Sequence, residues 1–96
     1  MIEQIYTQFE NQAANIGPLG AKIKFVIDKT PILIDGSGSE NIVSQLDSEA
    51  DCVIICSAET MISLKSGNLN PMMAVMTGKV KIKGDMGLAM KLQSLI

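Results

Sequence analysis

The sequence contains no histidine, no arginine and no tryptophan. Without imidazole the chain lacks the commonest general base and a frequent metal ligand. Without guanidinium it lacks the planar fork that holds phosphates and carboxylates through paired hydrogen bonds. A G-x-S-x-G nucleophile motif is also missing. We therefore expect a protein that is not an enzyme, with no catalytic residues, no metal site and no cofactor.

The chain also lacks an excess of positive charge, since the net charge is −2. Proteins that bind nucleic acid through its phosphates need a basic surface, so we expect no nucleic-acid partner. No apolar run reaches the ~18 residues that span a bilayer. The first residues, Met-Ile-Glu-Gln, lack the basic start of a signal peptide. We expect a cytoplasmic, reduced environment.

Cysteine is scarce, and the two residues present, Cys52 and Cys56, lie within one apolar run. On a strand, residues four apart share a face but are ~13 Å from each other. That separation is too long for a disulfide and does not match the loop spacing of zinc ligands. The pattern favours two small buried hydrophobic side chains.

What the sequence does contain is aliphatic volume: 47% of its residues are hydrophobic, but only 3% are aromatic. Leucine, isoleucine, valine and seven methionines supply most of it. A chain of 96 residues is long enough for one domain, 1–96, with a single core. Methionine is unbranched and flexible, so these side chains suit either ordinary packing of irregular gaps or a deformable pocket.

The spacing of apolar residues predicts the element order α-β-β-β-β-α-α-β-α. Apolar residues three and four apart predict a first helix, which Gly17-Pro18 ends. The alternation of lysines with Ile23, Phe25 and Ile27 predicts a strand over 22–28. Further strands are predicted from Ile32 to Asp35-Gly36, over 41–46, 52–56 and 79–83, and further helices from Ser57 to Gly67, over 71–76 and 86–95. A sheet with one solvent-exposed face and helices packed on the other face is typical of the α+β class.

Three of these segments carry more apolar surface than the simplest packing needs. The strand 52–56 is apolar at every position, which predicts burial on both faces. The helices 71–76 and 86–95 are apolar around about two-thirds of their circumference or more. A ligand or a partner chain between them would cover this excess. An empty pocket of ~300 Å³ would cost ~7 kcal/mol, so either the methionines collapse inward or a ligand stays bound.

Three motifs at the carboxyl end are more specific: G-x-x-x-P at 67–71, G-K-x-K-I-x-G at 78–84 and M-x-L-A-M-K-L-Q at 86–93. Together they closely resemble the sterol carrier protein 2 (SCP-2) domain family, with weaker agreement upstream at 51–55. The resemblance implies a five-stranded, mostly antiparallel sheet with helices packed on one face around an apolar tunnel. It further implies non-catalytic binding and transfer of sterols, fatty acids, acyl-CoAs and phospholipids.

The resemblance also implies which residues line the tunnel. These are Met72, Met73, Met76, Met86, Met90 and Gln93. Phe25 on the 22–28 strand and Met61 on the helix after Ser57 complete the ligand-binding set that we expect. Gln93 fits either a polar position at the core margin or a hydrogen-bonding group that fixes a ligand hydroxyl or carboxyl.

Two questions about partners stay open. Lys79, Lys81 and Lys83 alternate along one predicted strand, so they form either a solvated sheet face or a transient contact with an anionic membrane surface. The chain could act as a free lipid carrier, or as an accessory module that presents a lipid-bound substrate to a partner enzyme.

Overall fold

The computed structural model describes residues 2–89, with only the backbone of Ala89. The element order is the predicted one. The elements are α1 (Ile2–Ala14), β1 (Lys22–Ile27), β2 (Thr30–Asp35), β3 (Ile42–Ser44), β4 (Cys52–Cys56), α2 (Ala58–Lys65), α3 (Pro71–Met76), β5 (Lys81–Gly84) and α4 (Met86–Ala89). The remainder of the predicted last helix, with Met90 and Gln93, lies outside the described residues.

The five strands form one sheet in the order β3-β2-β1-β4-β5. The central pair, β1 and β4, is parallel, with Ile23 beside Cys52 and Phe25 beside Ile54. The other three pairs are antiparallel. The expectation of a mostly antiparallel five-stranded sheet in an α+β fold is therefore confirmed.

Alternation along β1 and β4 directs one set of side chains to an inner face. Ile23, Phe25 and Ile27 of β1 are fully buried there, together with alternate residues of β4. The helices cover this face and share the same hydrophobic core. α1 buries Ile5, Phe9 and Ala13, α2 buries Ala58, Met61 and Leu64, and α3 buries Ala74. The rings of Phe9 and Phe25 lie 4.5 Å apart between centroids.

On the outer face of the sheet a polar segment takes the place of a helix layer. The chain returns from the edge strand β3 to β4 through residues 45–51, and Asp47 of this segment pairs with Lys24 of β1 at 2.7 Å. Leu33 of β2, the register partner of Lys24, is buried on this face although it is not part of the main core. We infer that the crossing segment shields Leu33.

The expectation that strand 52–56 is buried on both faces is wrong. Cys52, Ile54 and Cys56 are buried on the inner face, but Val53 and Ile55 on the outer face are half-buried. Their register partners on β5 are Lys83 and Lys81. Lysine is a residue type whose stem can cover apolar surface while its ammonium group stays in water.

The last strand also begins later than predicted, at Lys81 and not at residue 79. The backbone N–H groups of Lys79 and Val80 both donate to the carbonyl oxygen of Ala74, at 2.9 and 3.1 Å. These two N–H groups therefore form the hydrogen bonds that end α3, and they are not available to pair with a neighbouring strand. Within residues 2–89, every helix is too short or too polar to span a lipid bilayer.

Candidate functional site

The short helix α3 is fixed at both ends by its own sequence. Asn70 caps its start, and the side-chain oxygen accepts from the N–H groups of Met72 at 2.8 Å and Met73 at 3.4 Å. Pro71 occupies the first helical position, where its missing N–H costs nothing. At the far end Gly78 has a φ of 80°, the left-handed conformation that ends many helices. These two caps hold a helix of six residues that propensity alone could not maintain.

The orientation of α3 is decided by its smallest side chain. Ala74 is 0% exposed and faces the core, with Val75 packed partly against it. The three methionines therefore point away from the sheet, and Met72, Met73 and Met76 are 58%, 52% and 77% exposed. We call these three residues the methionine surface. Met86, at the start of α4, is also 58% exposed.

The other expected ligand-binding residues lie elsewhere. Phe25 and Met61 are fully covered within the core, Phe25 by the ring of Phe9. The structure thus brings Phe25 and Met61 into one core, and leaves the methionine surface and Met86 at the exterior. That all eight residues line a single site remains a prediction, since Met90 and Gln93 lie outside the described residues.

A polar depression of about 250 Å³ includes residues on either side of α3 in the chain, and little in the sequence indicates it. It is lined by Glu59, Thr60, Ser63, Leu69 and Lys79. The spacing of Glu59, Thr60 and Ser63 places them on one side of α2, which is a signal the sequence did contain. The expectation that Lys79 shares a sheet face with Lys81 and Lys83 is wrong: Lys79 precedes β5 and lines this depression instead.

The chemistry available in the described residues is limited. Among residues 2–89 no group of three or more acidic or cysteine side chains is placed to hold a metal ion. Burial, and secondarily the nearby carboxylate of Asp28, raises the pKa of the Cys56 thiol to about 11. Burial, followed by the charge of Asp85, also raises the pKa of Cys52. Both thiols are therefore protonated at neutral pH and are poor nucleophiles.

Comparison with known proteins gives a consistent result. The family model described as the SCP-2 sterol transfer family matches residues 2–96. Sterol carrier protein 2 of Rattus norvegicus is 42% identical over 79 residues, which are 82% of this chain but only 13% of the rat protein. Hydroxysteroid dehydrogenase-like protein 2 of Bos taurus is 48% identical over 48 residues, 50% of this chain and 12% of the bovine protein. This chain thus matches a small part of much longer relatives.

Solved structures show the same fold. Sterol carrier protein 2 like 2 from Aedes aegypti superposes with a TM-score of 0.79 at 19% identity, covering 99% of this chain and 95% of that one. Aedes aegypti sterol carrier protein 2, solved as a complex with palmitate, superposes with a TM-score of 0.73 at 19% identity, covering 98% of this chain and 96% of that one. With the family model matched over 2–96, this chain belongs to the SCP-2 sterol transfer family.

Proposed function

We propose that this protein binds lipids non-catalytically and transfers them, with the methionine surface and Met86 in contact with the apolar part of the ligand. The candidate ligands are fatty acids, acyl-CoAs, sterol-like molecules and phospholipids. The observation that carries the proposal is the outward orientation of α3, which exposes three large apolar side chains on six residues. The family description and the palmitate complex of the Aedes aegypti protein support it.

The energies favour a ligand that is long enough to touch several methionines at once. Covering one methionine side chain fully is worth ~1.5–3 kcal/mol. Association itself costs ~4–15 kcal/mol in lost freedom of motion. A ligand that covers only one methionine gains less than that cost. An acyl chain or a sterol that covers the methionine surface and Met86 gains up to ~6–12 kcal/mol, which is of the same order as the cost.

We further propose that entry into an interior tunnel requires a movement of the helices. Phe25 and Met61 can contact a ligand only after α2 and α3 move away from the sheet, because both side chains are fully covered. Methyl NMR of methionine-labelled protein, titrated with palmitate, distinguishes binding at the methionine surface from binding in an interior tunnel. Shifts confined to Met72, Met73, Met76 and Met86 indicate binding at the surface, whereas a shift of Met61 as well indicates an open tunnel.

The proposal is tested by substitution with a matched control. Met76→Gln removes the most exposed methionine, and Leu46→Gln removes a side chain of similar exposure, 62%, in the segment that crosses the outer face. We expect Met76→Gln to weaken binding of a fluorescent fatty acid about tenfold, as the loss of one covered apolar side chain predicts. Leu46→Gln should bind like the unmodified protein. Equal binding by both variants would contradict a role for the methionine surface.

A second candidate function is an accessory module that presents a lipid-bound substrate to an enzyme. The observation in its favour is that the matched region makes up only 13% and 12% of the rat and bovine relatives, the second of which is named for a dehydrogenase. Native mass spectrometry of freshly purified protein separates the two functions. A free carrier should retain lipid in stoichiometric amount, whereas an accessory module without its enzyme need not.

A contact with anionic membranes remains a separate prediction. Lys81 and Lys83 project from the outer face of the sheet, opposite to the helices that carry the methionine surface. A membrane held by these lysines would therefore lie away from the methionines. Binding to anionic vesicles that disappears at high salt, and that Lys81→Gln weakens, would support the contact.

A further inference from the structure

The depression beside α3 carries one charge of each sign. Glu59 of α2 supplies a carboxylate and Lys79 supplies an ammonium group, and the hydroxyls of Thr60 and Ser63 lie in the same lining. Leu69 adds the one apolar side chain of the lining. This combination suits a molecule with two opposite charges, polar oxygens and an apolar continuation.

The polar side chains of the depression keep unfilled hydrogen-bonding and ion-pairing capacity within the described residues. Within residues 2–89, the side chains of Glu59 and Lys79 form no ion pair and no hydrogen bond. The hydroxyl of Ser63 likewise has no partner there. The hydroxyl of Thr60 accepts a hydrogen bond from Ser57 at 2.9 Å, which leaves its own proton to donate. Two charges and two hydroxyl donors are thus free to meet a ligand.

Two residues of the depression flank, in the sequence, the helix that carries the methionine surface. Leu69 lies immediately before the Asn70 cap of α3, and Lys79 follows Gly78 at its other end. The six residues of α3 rise only ~9 Å, so one lipid can reach both the depression and the exposed methionines.

We propose that this depression binds the zwitterionic head group of a phospholipid, with the phosphate beside Lys79 and the two hydroxyls, and the positive amine beside Glu59. The acyl chains then run over Leu69 and the methionine surface, so the inference rests on the lipid binding proposed above. A fatty acid carboxylate fits less well, because the attraction of Lys79 is offset by the repulsion of Glu59. The opposed charges therefore favour phosphatidylcholine over anionic lipids of equal chain length.

The test compares lipids that share their chains but differ in head group. The probes are phosphatidylcholine, phosphatidic acid and diacylglycerol, each competing with a fluorescent fatty acid at low salt. We expect Lys79→Gln to weaken phosphatidylcholine about threefold, the scale of an exposed ion pair, and to leave diacylglycerol unchanged. Glu59→Gln should weaken phosphatidylcholine by a similar factor and strengthen phosphatidic acid.

Matched controls and outcomes separate this inference from the lipid binding on which it rests. Lys29→Gln and Glu40→Gln remove the same charges elsewhere, at exposed positions, and should leave the head-group preference unchanged. If Lys79→Gln and Glu59→Gln bind all three lipids like the unmodified protein while Met76→Gln does not, the head-group site is wrong and the lipid surface stands. If the unmodified protein binds none of the lipids, both fail. Tight binding of soluble glycerophosphocholine would identify a site for the free head group and overturn the lipid assignment.

Discussion

The side-chain oxygen of Asn41 accepts a hydrogen bond from the backbone N–H of Leu19 at 3.0 Å, although 22 residues separate them. The amide nitrogen of the same side chain donates to the carbonyl oxygens of Ala13, at 3.2 Å, and Gly17, at 3.0 Å. Ala13 belongs to the last turn of α1, whose carbonyls lack partners within the helix. Asn41 therefore joins the end of α1 to the loop before β3.

Replacement of Asn41 by alanine should lower the free energy of unfolding by about 1–3 kcal/mol, because part-buried backbone groups lose their partner. Urea denaturation measures the change. Asn41→Asp keeps the acceptor for Leu19 but loses both donors, so it should also destabilise the fold. Ser39→Ala, an exposed change two residues away, should alter stability by less than ~0.5 kcal/mol. Equal stability of Asn41→Ala and Ser39→Ala would contradict the prediction.

Gly84 of β5 lies beside the start of β4, where Cys52 is its register partner. Its φ is 95°, a conformation that other residues rarely adopt, and an added Cβ would overlap the carbonyl oxygen of Asp51. Gly84→Ala should therefore destabilise the protein by more than ~1 kcal/mol, as measured by thermal unfolding. Gly38→Ala is the matched control, since a Cβ there meets open space. A neutral Gly84→Ala would show that β5 can move away from Asp51 freely.

The fold was predictable where it depends on neighbours in the chain. The alternation of lysine with apolar residues over 22–28 gave β1 as Lys22–Ile27, and Asn70-Pro71 and Gly78 gave the ends of α3. The strand expected at 41–46 is shorter, Ile42–Ser44, because only these residues pair with β2. Such pairing depends on the length of the partner strand, which the local pattern does not contain.

The candidate site was less predictable because nearly the whole circumference of α3 is apolar. Hydrophobic periodicity could not show that Ala74 would face the core and the methionines the exterior. The small side chain allows the helix backbone to approach the core closely, and this contact is a tertiary one. The depression with Glu59 and Lys79 was missed for the same reason, since it joins two segments 20 residues apart.

The β1–β2 turn holds two residues in a conformation that favours glycine. Asp28 and Lys29 have φ values of 49° and 68°, as expected for a tight two-residue hairpin turn of type I′. Lys29→Gly should raise the free energy of unfolding by about 0.5–1 kcal/mol, because glycine adopts this conformation without a steric penalty. Lys29→Ala removes the same charge but keeps the strain, so it should bring no gain. Equal urea midpoints for the two variants would contradict the argument.

Stability should fall in alkaline solution because of Cys56. Its folded-state pKa is raised from 9.0 to about 11, so above pH 9 the unfolded thiol loses its proton while the folded one keeps it. This contribution is complete below pH 9 and is lost as the pH rises to 11, by roughly 1.4 kcal/mol at pH 10. Cys56→Ala should flatten this decline in urea denaturation at pH 7, 9 and 10. Burial lowers the pKa of Lys65, so Lys65 makes stability rise with pH. It does so equally in the unmodified protein and in Cys56→Ala, so the difference between their pH profiles isolates Cys56.

Ligand binding should appear as added stability if the lipid binds the folded chain alone. At a free palmitate concentration 100 times the dissociation constant, the free energy of unfolding should rise by ~2.7 kcal/mol. For a domain of this size the melting temperature would increase by ~10 °C or more. Palmitate is kept below its micelle concentration, because detergent-like action would lower the melting temperature. At one fixed palmitate concentration, the melting temperature of Met76→Gln should rise less than that of Leu46→Gln. The reason is that the methionine surface, and not exposed apolar residues in general, would contact the acyl chain. An unchanged melting temperature with palmitate, cholesterol and phosphatidylcholine alike would contradict lipid binding by this protein.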